Sequence, residues 1–161
     1  MSGITQRIKN NKYVMLGLST IFLAQISLVF QAQSFLLPTE YSFVWLCLTG
    51  LFLLLTLAFQ WYLFRKRWIG KLTRFDLDLH RWIGIVATLL FALHAARFGH
   101  SWMTALTIVF ILTVLTGIFN KEIMRFSQRW MYLVWLALHI SLSFILVPLI
   151  AVHIWIALAY Q

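Results

Sequence analysis

Apolar residues dominate the chain in five long runs, near residues 13–33, 42–64, 75–98, 102–119 and 130–160, separated by short polar breaks. A helix that crosses a bilayer needs roughly 20 mostly apolar residues, so runs of this order predict five membrane helices. The last run is long enough to tilt or to protrude. The first follows Arg7, Lys9 and Lys12, as the core of a signal peptide would. Its apolar stretch is long and no small-residue cleavage site follows, so it reads as a membrane helix. Gln33 to Glu40 bring in Pro38 and several polar residues, which marks the first external loop.

Composition removes the soluble alternative. The 161 residues are 62% hydrophobic and 17% aromatic, with only 11% charged, against about a quarter charged in an ordinary globular domain. A chain this short exposes much of its surface, and so few charges cannot wet that surface. The expected fold is therefore an all-α integral membrane protein, a five-helix transmembrane bundle forming a single domain over residues 1–161. Neither an internal repeat nor a low-complexity tract stands out. The single Cys47 lies in an apolar run, which excludes disulfides and thiolate metal sites within the chain.

Charge then gives the orientation. The formal net charge is +9, from 13 Lys and Arg against 4 Asp and Glu, which in a soluble chain would suggest nucleic acid. Here the cations sit between apolar runs, as topology signals facing lipid headgroups. Arg7, Lys9 and Lys12 precede the first run, and Arg65, Lys66, Arg67, Lys71 and Arg74 join the second to the third. Lys121, Arg125 and Arg129 join the fourth to the fifth. Five crossings put all three groups on one side, which the positive-inside rule makes cytoplasmic, so the N-terminus is expected inside and the C-terminus outside. Little charge besides Glu40 and Arg97 falls on the other side. Trp61, Trp68, Trp82, Trp102 and Trp130 lie near run ends, where indole anchors at the headgroups.

Candidate chemistry rests on four histidines. His80 and His94 lie in the third run and His139 and His153 in the fifth, fourteen residues apart in each pair. Fourteen residues is nearly four helical turns, so both members of a pair project from almost one face, about 21 Å apart along the axis. The third and fifth helices run in the same direction, which sets His80 against His139 toward the cytoplasm and His94 against His153 toward the outside. Two facing imidazoles suit the axial positions of a low-spin haem iron, with the second ring nitrogen held by a carbonyl or hydroxyl. Without a Cys-x-x-Cys-His motif, covalent attachment is excluded and the cofactors expected are two haem b groups. A lone membrane histidine more often only hydrogen-bonds across helices; four at matched spacing favour haem iron ligation. Zinc is disfavoured because its ligands gather in one tetrahedron, not in two distant layers.

Neighbouring residues add weaker signals. Ala92, Ala95 and Ala96 beside His94, Gly84 past His80, and Ser141 and Ser143 near His139 leave room for a macrocycle, although small residues also serve helix packing. Arg81 and Arg97 are candidate cofactor-binding residues for haem propionates; Arg81 reads first as an inside topology charge, whereas Arg97, the outside exception to the charge rule, reads as contacting a propionate or an anionic substrate. His100, outside the register, reads as a loop residue able to pass a proton. Pro148 is expected to kink the fifth helix. Asp76 and Asp78 read as helix-start residues stabilised by the dipole.

His80-Arg81-Trp82 with His94, and His139 with His153 two helices later, resemble the ferric-reductase-like transmembrane domain superfamily over residues 75–160. That group includes the membrane cores of NADPH oxidases, ferric reductases and the haem subunit of the bacterial periplasmic methionine sulfoxide reductase system. The resemblance implies stacked b haems, with His80 and His139 on the inner and His94 and His153 on the outer, carrying electrons to an external acceptor. Many members add a sixth helix, and some a flavin and nicotinamide domain. This sequence shows no Gly-rich nucleotide fingerprint, so the donor is expected to be a separate protein or quinol.

The expected function is thus transmembrane electron transfer by a cytochrome b in the bacterial cytoplasmic (inner) membrane, as an oxidoreductase or electron-transfer subunit. Its expected partners are membrane lipid, an electron donor and an external acceptor, and no nucleic acid. A cation beside a haem favours its reduced form, so Arg97 would raise the outer potential. The alternatives are a quinone-reactive cytochrome b subunit of a respiratory complex and a cofactor-free membrane assembly subunit.

Overall fold

A computed structural model describes residues 11–30, 39–95, 101–119 and 121–159, and among them all regular structure is helical. The elements are α1 (Lys12–Phe30), α2 (Thr39–Trp68), α3 (Arg74–His94), α4 (Ser101–Ile118), the single turn α5 (Lys121–Met124) and α6 (Arg129–Ala159). Five long helices thus stand where the five apolar runs lie. Within the described residues, Phe43–Trp68, Arg74–His94 and Arg129–Ala159 are long and apolar enough to cross a membrane, and Lys12–Ile26 and Trp102–Ile118 are shorter apolar stretches.

The helix ends are fixed by local chemistry. Asn11 caps α1, its side-chain oxygen accepting from the backbone N–H of Tyr13 at 3.1 Å and of Val14 at 3.4 Å. Whereas the apolar run ends near residue 64, α2 continues through Arg65, Lys66 and Arg67. Cations in a last turn complement the negative end of the helix dipole, which explains the extension. Gly70 at φ 71 then stops it. The Gly70 N–H donates to the Arg67 carbonyl and the Lys71 N–H to that of Lys66, both at 3.0 Å, the paired bonds of a Schellman motif.

Three residues later a capping box starts α3. The Thr73 hydroxyl accepts from the Asp76 N–H at 3.2 Å, and the Asp76 carboxylate accepts from the Thr73 N–H at 2.7 Å. Lys66 also reaches Asp76, at 2.7 Å, and ties the end of α2 to the start of α3. Asp76 is therefore a helix-start residue through side-chain bonds as well as through the dipole. At its other end α3 stops at His94, four residues short of the expected boundary. Ala95 turns out of the helix at ψ 99 while its N–H closes the last turn on the Phe91 carbonyl at 2.8 Å.

The described residues fall into two compact units, one within Asn11–Arg97 and one within Phe98–Gln161. In the first, α1 and α2 both pack on α3. The buried positions of α3 include Ala87, Thr88 and Ala92, small enough to let neighbouring helices approach closely. In the second unit α4 packs on α6. Large apolar side chains are exposed on every long helix, among them Phe22, Leu55, Phe75, Ile108 and Trp155. That many exposed apolar groups are stable only against lipid or another apolar surface.

Candidate functional site

His80 and His94 are both on the uninterrupted α3, and His139 and His153 are both on α6, which runs through Pro148 as one helix. Each pair therefore keeps its fourteen-residue spacing on one continuous helix, about 21 Å along the axis. All four side chains are half-buried. The two pairs belong to different compact units, His80 and His94 to the first and His139 and His153 to the second.

In the first unit the partner helix α2 holds His94. The Nδ1 of His94 lies 3.0 Å from the Leu46 carbonyl and 3.3 Å from the Thr49 hydroxyl. A carbonyl only accepts, so Nδ1 is the donor. Gly50, next along α2, faces the edge of the same ring: a Cβ there would stand 2.8 Å from Cε1. The indole N–H of Trp45 donates to the Leu93 carbonyl at 3.3 Å, which pins the last turn of α3 against α2. Nearer the start of α3, the Gln60 amide donates to the His80 carbonyl at 2.9 Å.

In the second unit α4 holds His139 in the same manner. The Nδ1 of His139 is 2.9 Å from the Thr116 hydroxyl, and a Cβ at Gly117 would stand 3.3 Å from Cε1. Trp135, one turn earlier on α6, stacks on the His139 ring with centroids 6.1 Å apart and planes 7° from parallel. Its indole N–H donates to the Thr116 carbonyl at 2.8 Å. The Ser143 hydroxyl donates to the His139 carbonyl at 2.8 Å.

Thr49, Gly50, Thr116, Gly117 and Trp135 are the contacts that the sequence reading missed. A signal for four of them was available. Leu48-Thr49-Gly50-Leu51-Phe52 and Leu115-Thr116-Gly117-Ile118-Phe119 differ only by Leu against Ile. Five residues are too few to stand out as a repeat until both copies are seen against a histidine ring.

The other candidates are placed as follows. Arg81 forms an ion pair with Asp78 at 3.3 Å and stands over the Tyr13 ring at 5.4 Å from its centroid. Asp78 thus serves this ion pair. Lys12 lies over the same ring and over Trp82. A Cβ at Gly84 would meet only the Gln60 amide, at an ordinary 3.9 Å. Ala92 is buried and Ser141 exposed. Arg97, His100, Ala96, Arg7, Lys9 and the loop residues 33–38 lie outside the described residues.

Among the described residues no group of three or more His, Cys, Asp or Glu gathers as a metal site. Bis-imidazole ligation of a haem asks for only one histidine on each side of the macrocycle. His94 and His139 fit that role, because an imidazole whose Nδ1 is held by a carbonyl or hydroxyl is the usual dressing of a metal-ligating histidine. No family model, curated protein or solved structure matches the chain.

Proposed function

We propose that the chain is an integral membrane dihaem cytochrome b, a five-helix transmembrane bundle with its N-terminus cytoplasmic and its C-terminus external. His80 and His139 would hold an inner haem and His94 and His153 an outer one. When bound, the haems supply one-electron redox chemistry between the two faces of the membrane. The protein contributes fixed ligands, an apolar surround and, through Arg81 and Arg97, cations for the propionates.

The observation that carries this reading is the matched spacing of the two histidine pairs on α3 and α6, each helix long and apolar enough to span a bilayer. The resemblance to ferric-reductase-like membrane domains gives it a direction: a separate donor protein or quinol on the cytoplasmic side or in the membrane, and an acceptor outside. His80, His139, His94 and His153 would supply both histidine ligands of each haem, so an external acceptor would take its electron without binding iron.

The test is haem content by pyridine haemochrome, with reduced-minus-oxidised spectra of the detergent-purified chain. Two low-spin b haems per chain are expected. His94→Ala or His153→Ala should remove the outer haem and keep the inner, and His80→Ala or His139→Ala the converse. One haem overturns one pair, and none overturns the reading in favour of a cofactor-free membrane subunit.

A further inference from the structure

The two Thr-Gly dipeptides do the same thing to two different histidines. The Thr49 hydroxyl carries one proton and donates it along its own helix, to the Trp45 carbonyl at 2.8 Å. The Thr116 hydroxyl likewise donates to the Thr113 carbonyl at 2.8 Å. A hydroxyl that has given away its proton can only accept from a further partner. With that proton on its own helix, each threonine can accept from the histidine nitrogen facing it, at 3.3 Å for His94 and 2.9 Å for His139. For His94 the Leu46 carbonyl at 3.0 Å requires that nitrogen to carry hydrogen.

A neutral imidazole has one N–H and one lone pair. With Nδ1 protonated, the lone pair is on Nε2. The adjacent glycine lets the ring approach closely: a Cβ at Gly50 would stand 2.8, 3.2 and 3.5 Å from Cε1, Nδ1 and Nε2 of His94, and one at Gly117 3.3 Å from Cε1 of His139. Hydroxyl and glycine together select both the tautomer and the position of the ring.

We propose that Thr49-Gly50 and Thr116-Gly117 are positioning dipeptides that hold His94 and His139 as Nδ1–H tautomers with Nε2 directed to haem iron. This rests on the dihaem reading and extends it. In that reading His94 is an outer ligand and His139 an inner one, so each haem receives one ligand from a Thr-Gly cradle. A bond from Nδ1–H to an oxygen makes the imidazole a stronger donor and stabilises the oxidised iron. Loss of the acceptor therefore moves that haem's potential upward.

The experiment is a redox titration and haem assay on the full detergent-purified chain and on Thr49→Val, Thr116→Val, Thr49→Ser, Thr116→Ser, Gly50→Ala and Gly117→Ala. Each valine variant should shift one of the two redox components upward and leave the other in place. The shift should be smaller for Thr49→Val, because the Leu46 carbonyl still accepts. Each serine variant should restore the parent potential. Gly50→Ala should cost one haem of the two, and Gly117→Ala, with 3.3 Å rather than 2.8 Å of room, should lose less.

Two haems with unchanged potentials in Thr116→Val and full occupancy in Gly50→Ala overturn the cradle and leave the dihaem reading standing. A valine variant that loses its haem supports the cradle if serine restores it and counts against it otherwise. An unaltered chain without haem overturns both.

Discussion

Threonine shows why one half of the site was legible and the other was not. A histidine inside an apolar run is costly and rare, so four of them at a fixed interval stand out from the letters alone. Threonine is common in membrane helices and usually satisfies itself. Thr20 donates to the Gly17 carbonyl, Thr56 to Leu53, Thr88 to Gly84 and Thr113 to Val109, each within its own helix. Thr49 and Thr116 make the same bond, and only the neighbouring helix shows that their hydroxyls also meet a histidine. Trp135 is a similar case, since its distance from the run ends gave it no interfacial role to suggest. Trp135→Phe keeps an aromatic face for His139 but deletes the donor to the Thr116 carbonyl. Polar bonds between membrane helices average about 0.6 kcal/mol, so a loss of that order in unfolding free energy is expected in a detergent titration. The Thr116 hydroxyl remains, so under the proposed dihaem function the potentials should not move. A potential that follows the indole would mean that stacking, not the hydroxyl, sets the ligand.

At the scale of elements, the five helices were legible because apolar length is a coarse and strong signal, whereas their ends depend on a few polar atoms. The runs stop where charge begins, yet α2 takes in Arg65 to Trp68 because cations suit its last turn. Conversely, α3 stops at His94 although apolar residues continue, and nothing in hydropathy records the extended backbone of Ala95. The α2–α3 junction offers a direct test of how these ends are held. A Cβ at Gly70 meets nothing within 4 Å, so Gly70→Ala brings only the backbone cost of the left-handed conformation. That cost is about 1 kcal/mol. Thr73→Ala removes the cap of α3 and should cost about 1 kcal/mol as well. The two changes act at adjacent caps joined by the Lys66–Asp76 bond. The double variant should therefore depart from additivity, which unfolding curves of the two single variants and the double variant would reveal. Strict additivity would mean that the two caps form independently.

For the whole molecule, the proposed orientation rests on charge, and it is the property most open to a simple experiment. The basic groups between α2 and α3 and before α6 must share a side if all five long helices cross. The positive-inside rule makes that side cytoplasmic. The exposed apolar side chains on every long helix fit a lipid environment, but they do not distinguish a helix that crosses from one that lies along the surface. The chain's one cysteine, Cys47, can be replaced to give a blank background. Single cysteines at Lys71, at Gln128 and at Gln161 would then be challenged in intact cells with a membrane-impermeant maleimide. Lys71→Cys and Gln128→Cys should react only after the membrane is opened, and Gln161→Cys should react in intact cells. If Gln161→Cys is protected along with the other two, α6 begins and ends on one side and does not cross, so His139 and His153 cannot stand in two layers opposite His80 and His94. The exchanged pairing, His80 with His153 and His94 with His139, would instead show as Gln128→Cys reacting in intact cells while Gln161→Cys is protected.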